Sequence, residues 1–451
     1  MGKDKKSKQK KKTKTASSSG ENKKSDSSKS EKDSSGSDQE NKKEAKKAKF
    51  KPRKHQHADQ VINHEFFHGI LPNDDVSSIL TKDGDFLLRS FIPEDDRQAE
   101  PKLILSIFWQ GKMKNAQIKE AKTKKTVKYV LGGEKHESIN DLIDMYQIRK
   151  RKLQMGDEEV TLYNPVKRQA WELRHQMVTI EKDKKLGEGA YGRVYKGMLK
   201  KKTSEKPIEV AVKELWSETP EAAAEVWREA RVMRNFSHPN VVKMYGVCND
   251  KEPYLIVTEL VHGGGMDRYL EKRKSLKALP AVKRVQMLLE GAQGMEYIHQ
   301  QGVIHRDIGA RNFLIDKVVK VNDFGLSRSI GKKGYKINTE GDCNLRWIAP
   351  DCFTSAKVDF KTDVYAFGIT MWEVFKIPYE IPYNGWDGTK VYTEVVENGF
   401  RLPPPEHMPE GIRELYAECI TTPESRPDFK SIVWILKKVM KDPNARLGTG
   451  V

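Results

Sequence analysis

Large apolar side chains are nearly missing from the first 63 residues, where Phe50, Val61 and Ile62 stand among Lys, Ser, Asp and Glu. Such a segment cannot bury enough apolar surface to offset the entropy of ordering it, so the pattern predicts a disordered tail over 1–63. The texture changes at His64. A short helical stretch over 74–80 precedes Gly84-Asp85 and the apolar run Phe86-Leu87-Leu88, and a second run over 103–109 ends at the turn signal Gln110-Gly111. Val127, Tyr129 and Leu131 alternate as in a half-buried strand; Ser138 then opens a helix carrying Ile139, Leu142, Ile143 and Tyr146. Two helices and several antiparallel strands over 64–165 predict a small α+β module.

A linker over 166–178 leads into the largest unit, 179–440, and a short tail, 441–451, follows it. The first third of that unit reads as strands over 192–196, 209–213, 241–247 and 254–259, interrupted by a helix over 221–235. After Gly263-Gly264-Gly265 the period becomes helical, over 284–300, 363–375 and 431–440. A β-rich lobe joined to a helical one leaves a cleft between them, a natural ligand site.

Charge changes this picture little. Lys and Arg number 82 against 64 Asp and Glu in 451 residues, a net +18, but 20 of the basic and only 9 of the acidic residues lie within the first 60. The basicity belongs mainly to the tail, so a nucleic-acid-binding fold is not needed to explain it. The Lys clusters are compatible with a solvated tail, or with attraction to anionic lipid, RNA or acidic partners. Gly2 invites a myristoylation reading, but Lys6 stands where the pattern wants Ser or Thr. Four cysteines, Cys248, Cys343, Cys352 and Cys419, are too few for a disulfide framework and lack zinc-ligand spacing. No apolar run approaches the ~18 residues of a membrane span, and an apolar leader segment is lacking, so a soluble protein of a reducing compartment is expected.

Gly187-Glu188-Gly189-Ala190-Tyr191-Gly192 is a glycine-rich hexapeptide whose backbone could approach phosphates closely. A dinucleotide site would need a helix next and an acid about 20 residues on. Arg193-Val194-Tyr195-Lys196 instead alternates like a strand, and the later strand Val210-Ala211-Val212-Lys213 ends in a cation. Glu229, on the predicted helix, is a candidate partner for Lys213. Further on come His305-Arg306-Asp307, then Arg311-Asn312, then Asp323-Phe324-Gly325.

In that order and spacing these segments resemble the glycine loop, catalytic loop and metal-binding loop of the protein kinases, over about residues 178–440. The resemblance implies an ATP site lined by Leu186, Gly187 to Gly192, Arg193, Val194, Ala211, Lys213, Thr258, Glu259, Val261 and Leu314. It implies Lys213 paired with Glu229, Asp307 on the substrate hydroxyl, and Asn312 and Asp323 holding Mg²⁺, with Mn²⁺ as the alternative. Gly309 and Arg311 after Asp307, with Leu345-Arg346-Trp347-Ile348-Ala349-Pro350, resemble the tyrosine kinases rather than the serine/threonine ones. Tyr335 matches an activation-loop phosphorylation site whose phosphate would pair with Arg306 or Arg328. Departures are Asp351 for a customary Glu opposite Arg426, Asn344 for Pro, and Ile420 for Trp.

Phe66-Phe67-His68-Gly69 and Phe86-Leu87-Leu88-Arg89-Ser90, in front of such a kinase, resemble an SH2 domain, a central antiparallel sheet flanked by two helices. In that family the strand Arg, here Arg89, grips phosphotyrosine, with Ser90 as a substitute for the loop hydroxyl that Phe91 replaces. Asn73, Asn115 and Gln117 stand where basic residues or His are common, so weak phosphotyrosine binding is expected. The arrangement resembles the Fes/Fer group of non-receptor tyrosine kinases. That group carries a long N-terminal membrane-binding domain where this chain has the basic tail, so membrane recruitment is not carried over. In it the SH2 domain packs on the small lobe and supports the active kinase. The resemblance implies a cytoplasmic enzyme of phosphotyrosine signalling, with protein substrates, phosphotyrosine partners, no specific nucleic acid, and tail contact with the inner face of the plasma membrane. A catalytically silent scaffold would be expected to lack Lys213, Asp307 or Asp323; all three are present.

Overall fold

The computed structural model describes residues 58–92, 100–123, 126–189, 192–201, 204–215, 220–330, 335–336 and 344–442. Gly2 and almost all of the basic tail, the loop tip Ala190-Tyr191, Cys343 and the end of the C-terminal tail lie outside the described residues.

The first module is built on β1 (Phe67–Ile70), α1 (Asn73–Ile79), β2 (Asp85–Phe91), β3 (Lys102–Trp109) and β4 (Lys112–Gln117). The sheet runs β1-β2-β3-β4, antiparallel except that β1 lies parallel to β2. A smaller sheet of β5 (Lys119–Lys122), β6 (Val127–Leu131) and β7 (Glu134–His136) leads to α2 (Ile139–Gln147). Ser138 caps α2, its hydroxyl accepting from the Asp141 N–H, the role its position predicts. β8 (Leu153–Met155) and β9 (Glu158–Val160) form a hairpin, and β10 (Asn164–Pro165) lies parallel to β2. Alternation along β2 sends Phe86 and Leu88 into the core beneath α2 and Leu87 to the α1 side.

The linker is no free tether. Its β11 (Glu172–Leu173) forms the edge of the next sheet, whose other strands are β12 (Val178–Gly189), β13 (Gly192–Leu199), β14 (Ile208–Leu215), β15 (Met244–Cys248) and β16 (Leu255–Glu259), in the order β11-β15-β16-β14-β13-β12. One helix, α3 (Pro220–Met233), accompanies this lobe. The strand expected over 241–247 starts only at Met244. Val241 and Val242 are drawn to the other lobe instead, where Val241 bridges Val321 and the Val242 N–H donates to the Val321 carbonyl. The helical lobe comprises α4 (Met266–Glu271), α5 (Ala281–Gln300), α6 (Asp351–Ser355), α7 (Phe360–Phe375), α8 (Gly388–Tyr392), α9 (Glu410–Cys419) and α10 (Phe429–Lys441). Its core is α7, buried along almost its whole length. Among the described residues no helix is long and apolar enough to cross a membrane.

Both modules lie in one compact unit, Pro52–Val451, and share a core. Ile70, Leu71, Val76, Leu80 and Leu87 of the first module pack with Trp227 and Ala230 of α3 and with Val247, Tyr254 and Ile256 of the second sheet. Polar contacts fix the register of this joint. Asp75 on α1 is fully buried and accepts from Arg231 Nε at 2.8 Å and Arg234 Nη1 at 3.0 Å, both on or just past α3. Asn249 Nδ2 donates to the carbonyls of His68 and Ile70, each at 2.7 Å, while the Ile70 N–H returns a bond to the Asn249 carbonyl at 2.9 Å.

Gly69 has φ +63°, and a Cβ there would land on the Asn249 carbonyl. Gly69→Ala should therefore cost about 1–3 kcal/mol in backbone strain and steric displacement. Calorimetry should show the melting temperature falling by a few degrees. An unchanged transition would mean that this joint is not made in solution.

Candidate active site

Lys213 sits on β14 between Val194 of β13 and Ile256 of β16, so both neighbouring strands hold its backbone. Its ammonium reaches the Glu229 carboxylate at 2.7 and 3.0 Å, with Glu229 almost wholly buried. The same ammonium is 3.9 Å from Asp323 Oδ1. One cation thus ties the helix of the small lobe to the loop that carries Asp323.

The glycines above it divide in purpose. A Cβ on Gly192 would strike the Glu214 carbonyl, so that glycine serves the close approach of β13 to β14. A Cβ on Gly187 or Gly189 would meet no atom within 4 Å among the described residues. Leu186 is exposed, while Val194, Ala211, Thr258 and Leu314 are half-buried. Glu188 and Arg193 are exposed and lie 3.6 Å apart. The Glu259 carboxylate accepts from the Lys243 N–H at 2.8 Å and pairs with Lys320 at 2.9 Å, so its side chain braces the end of β16, close in the chain to buried Val261.

Below, the catalytic loop is held by acids of α7. Asp363, fully buried, accepts from the N–H groups of His305 at 2.7 Å and Arg306 at 2.8 Å, and from His299 at 3.0 Å. Burial works to raise its carboxyl, but His299, His305 and these bonds hold it below the usual range. His305 Nε2 donates to the Asn322 carbonyl at 3.0 Å and Nδ1 accepts from the Asp307 N–H at 3.3 Å. Asp307 pairs through Oδ1 with Arg311 and accepts through Oδ2 from Asn312 Nδ2 at 2.7 Å. The Asn322 N–H donates to the Asn312 carbonyl at 2.9 Å, joining this loop to Asp323. Phe324 is fully buried against Phe236 and His305, so the loop turns its carboxylate outward, half-exposed, toward Lys213.

Arg311 lies over the Trp347 ring at 4.2 Å, which brings the segment over 345–350 beside the Asp307 carboxylate. Glu373 near the end of α7 is fully buried and accepts from the Ala310 N–H at 2.9 Å, Trp347 Nε1 at 2.8 Å and the Tyr379 hydroxyl at 3.0 Å. Burial pushes its carboxyl up to about 7 against the pull of those donors and Arg311. Asp351 pairs with buried Arg426 despite being one methylene short. The backbone of Tyr335–Lys336 pairs with Lys357–Val358.

In the first module Arg89 is fully buried and its donors are engaged by neutral groups. Nε donates to Ser106 Oγ at 2.9 Å, Nη1 to the Leu71 carbonyl at 2.6 Å, and Nη2 to Asn73 Oδ1 at 2.6 Å and Asn115 Oδ1 at 3.1 Å. Burial pulls its guanidinium down to about 10. Ser90 does not join this pocket. Strand alternation turns it to the opposite face, where its hydroxyl finds no hydrogen-bond partner among the described residues. The hydroxyl in the pocket is Ser106, whose only signal was a polar residue within the apolar run of β3. Asp363 and Glu373 were likewise hidden, acids within a segment read only as helical.

Comparison with known proteins agrees with this geometry. Residues 180–436 match the protein tyrosine and serine/threonine kinase family, and residues 66–146 match the SH2 domain. The chain is 33% identical over 374 residues to the human tyrosine-protein kinase Fer, covering 82% of this chain and 43% of Fer. It is 32% identical to the transforming protein Fps of avian sarcoma virus (strain PRCII), covering 81% and 66%. The spermatocyte protein spe-8 of Caenorhabditis elegans is 32% identical, covering 84% and 72%. This chain thus spans less than half the length of Fer. The conclusion from fold, site and matches together is that the chain belongs to the protein tyrosine and serine/threonine kinase family, with an SH2 domain ahead of its kinase domain, as a homologue of the Fer and Fps tyrosine kinases.

Proposed function

We propose that this chain transfers the γ-phosphoryl group of ATP to tyrosine hydroxyls of proteins. The observation that carries the reading is the convergence of Lys213, Glu229 and Asp323 about one ammonium. Phosphoryl transfer needs positioning and charge neutralisation more than covalent help. In this reading Lys213 steadies the nucleotide phosphates, Glu229 holds Lys213, and Gly187 and Gly189 let the backbone close over them. Asp307, steered by Arg311 and Asn312, takes or orients the proton of the attacking hydroxyl.

Asn312 and the outward carboxylate of Asp323 offer the hard oxygen donors that Mg²⁺ prefers, and Mn²⁺ takes the same ones. Such an ion, when bound, neutralises phosphate charge. Selectivity for tyrosine rests in this reading on the Arg311–Trp347 stack, which makes the segment over 345–350 a docking segment beside Asp307, against which a phenol ring can lie. Tyr335 is the regulatory tyrosine of this reading, ordering its loop through Arg306 or Arg328 once phosphorylated.

The SH2 domain serves the kinase in two ways. Asp75 and the shared core hold α3, and with it Glu229, in place. Arg89 receives phosphotyrosine, but the phosphate must first displace the Asn73 and Asn115 oxygens, so affinity is low. The enzyme acts in the cytoplasm, and the tail supplies electrostatic contact with anionic membrane.

Incubated with Mg-ATP and a protein mixture, the full chain should label tyrosine and not serine or threonine. Asp307→Asn should label nothing, and Tyr335→Phe should label less after preincubation with ATP; phosphoserine in the wild-type sample would refute the assignment. Titration with tyrosine-phosphorylated peptides should show binding that Arg89→Ala weakens at least about 10-fold, the loss of a charge-assisted bidentate contact. Equal affinity in the two proteins would remove Arg89 from that role.

A further inference from the structure

Glu373 joins three segments that meet only in the fold. One of its oxygens accepts from both the Ala310 N–H of the catalytic loop and the Trp347 indole of the docking segment, and the other from Tyr379, past the end of α7. Ala310 lies between Asp307 and Asn312, and Trp347 carries the guanidinium of Arg311. All three contacts are donors, which suits an acceptor-only carboxylate. Remove it, and two buried N–H groups from different segments lose their acceptor at once. A buried acid is a poor means of gaining stability, since an apolar residue of similar volume commonly does better. Its value lies in the geometry it imposes.

We propose that Glu373 is a positioning residue that locks the substrate-docking segment against the catalytic loop, and so sets where the incoming tyrosine ring lies relative to Asp307. This deepens the tyrosine-kinase reading and rests on it. Glu373 is too deep to touch the phosphoryl group or the nucleotide; it acts through Trp347, Arg311 and Ala310.

The test compares the full-length chain with Glu373→Ala and Glu373→Gln, using a glutamate–tyrosine copolymer as acceptor. In Glu373→Ala the KM for the copolymer, and its dissociation constant measured without nucleotide, should each rise about 10-fold, while the KM for ATP changes less than about 2-fold. Glu373→Gln keeps an oxygen for Ala310 and Trp347, and its amide can donate to a rotated Tyr379 hydroxyl. It should stay within about 3-fold of the wild type. Should Glu373→Ala fail to fold, Trp347→Phe keeps the ring under Arg311 and removes only the indole donor, and should show the same acceptor-selective rise. Unchanged copolymer constants in an active Glu373→Ala, or in Trp347→Phe, would overturn the inference. So would equal losses toward ATP and copolymer in both Glu373 variants, the mark of a merely structural residue. A wild-type chain that labels no tyrosine would instead reject the kinase reading itself.

Discussion

The ion pair of Lys213 and Glu229 is the interaction on which the rest depends. A partly buried pair costs desolvation, and repays it only where both partners are held in good geometry. Lys213 is held by the sheet, with strands on either side of β14. Glu229 rides on a helix, and a lone helix on one face of a sheet is free to swing. Here α3 is not alone. Trp227 and Ala230 are buried in a core that includes Leu71, Val76 and Leu80 of the SH2 domain, and Asp75 anchors Arg231 and Arg234 near the helix C-terminus. The SH2 domain thus acts as the outer wall of the small lobe, and the geometry around Lys213 is partly set outside the kinase domain.

The lower half of the site follows the same logic with a different support. The loops bearing Asp307, Asn312 and Asp323 have little regular structure, and a loop alone would place a catalytic carboxylate poorly. Beneath them lies α7, buried along almost its whole length. From α7, Asp363 takes the N–H groups of His305 and Arg306, and Glu373 takes those of Ala310 and Trp347. Two buried acids, ten residues apart on one rigid element, convert loops into a fixed surface. The price in buried charge is visible in Glu373, whose carboxyl rests near 7.

What could be read along the chain divides by range. Gly187 to Gly192, Lys213, Asp307, Asn312 and Asp323 stand out because phosphate chemistry demands particular residue types at short spacing. The α2 helix and the strands β13, β14 and β16 were legible for a similar reason, since their apolar periods are local, whereas β11 and β12 were not. Asp75 was not, being 156 residues from Arg231 and resembling any surface acid of a short helix. Nor could Glu373 be told from a helix-face acid until α7 proved buried on all sides. Ser90 was placed beside Arg89 by adjacency, whereas a strand sends neighbours to opposite faces and Ser106 came across from β3. Val241 and Val242 read as strand, but their partner Val321 lies in the other lobe. In each case local pattern yields the element, and long-range packing decides what it touches.

If the SH2 domain works by holding Glu229 against Lys213, Asp75 and Glu229 must be energetically coupled although they never touch. A double-mutant cycle on kcat/KM for ATP measures this directly. Asp75→Ala should lower the value about 5- to 30-fold in the wild-type background, equivalent to roughly 1–2 kcal/mol. In a Glu229→Gln background it should change it less than about 2-fold, since the contact it supports is already gone. Equal falls in both backgrounds would contradict the account, because Asp75 would then be acting on something other than the ion pair.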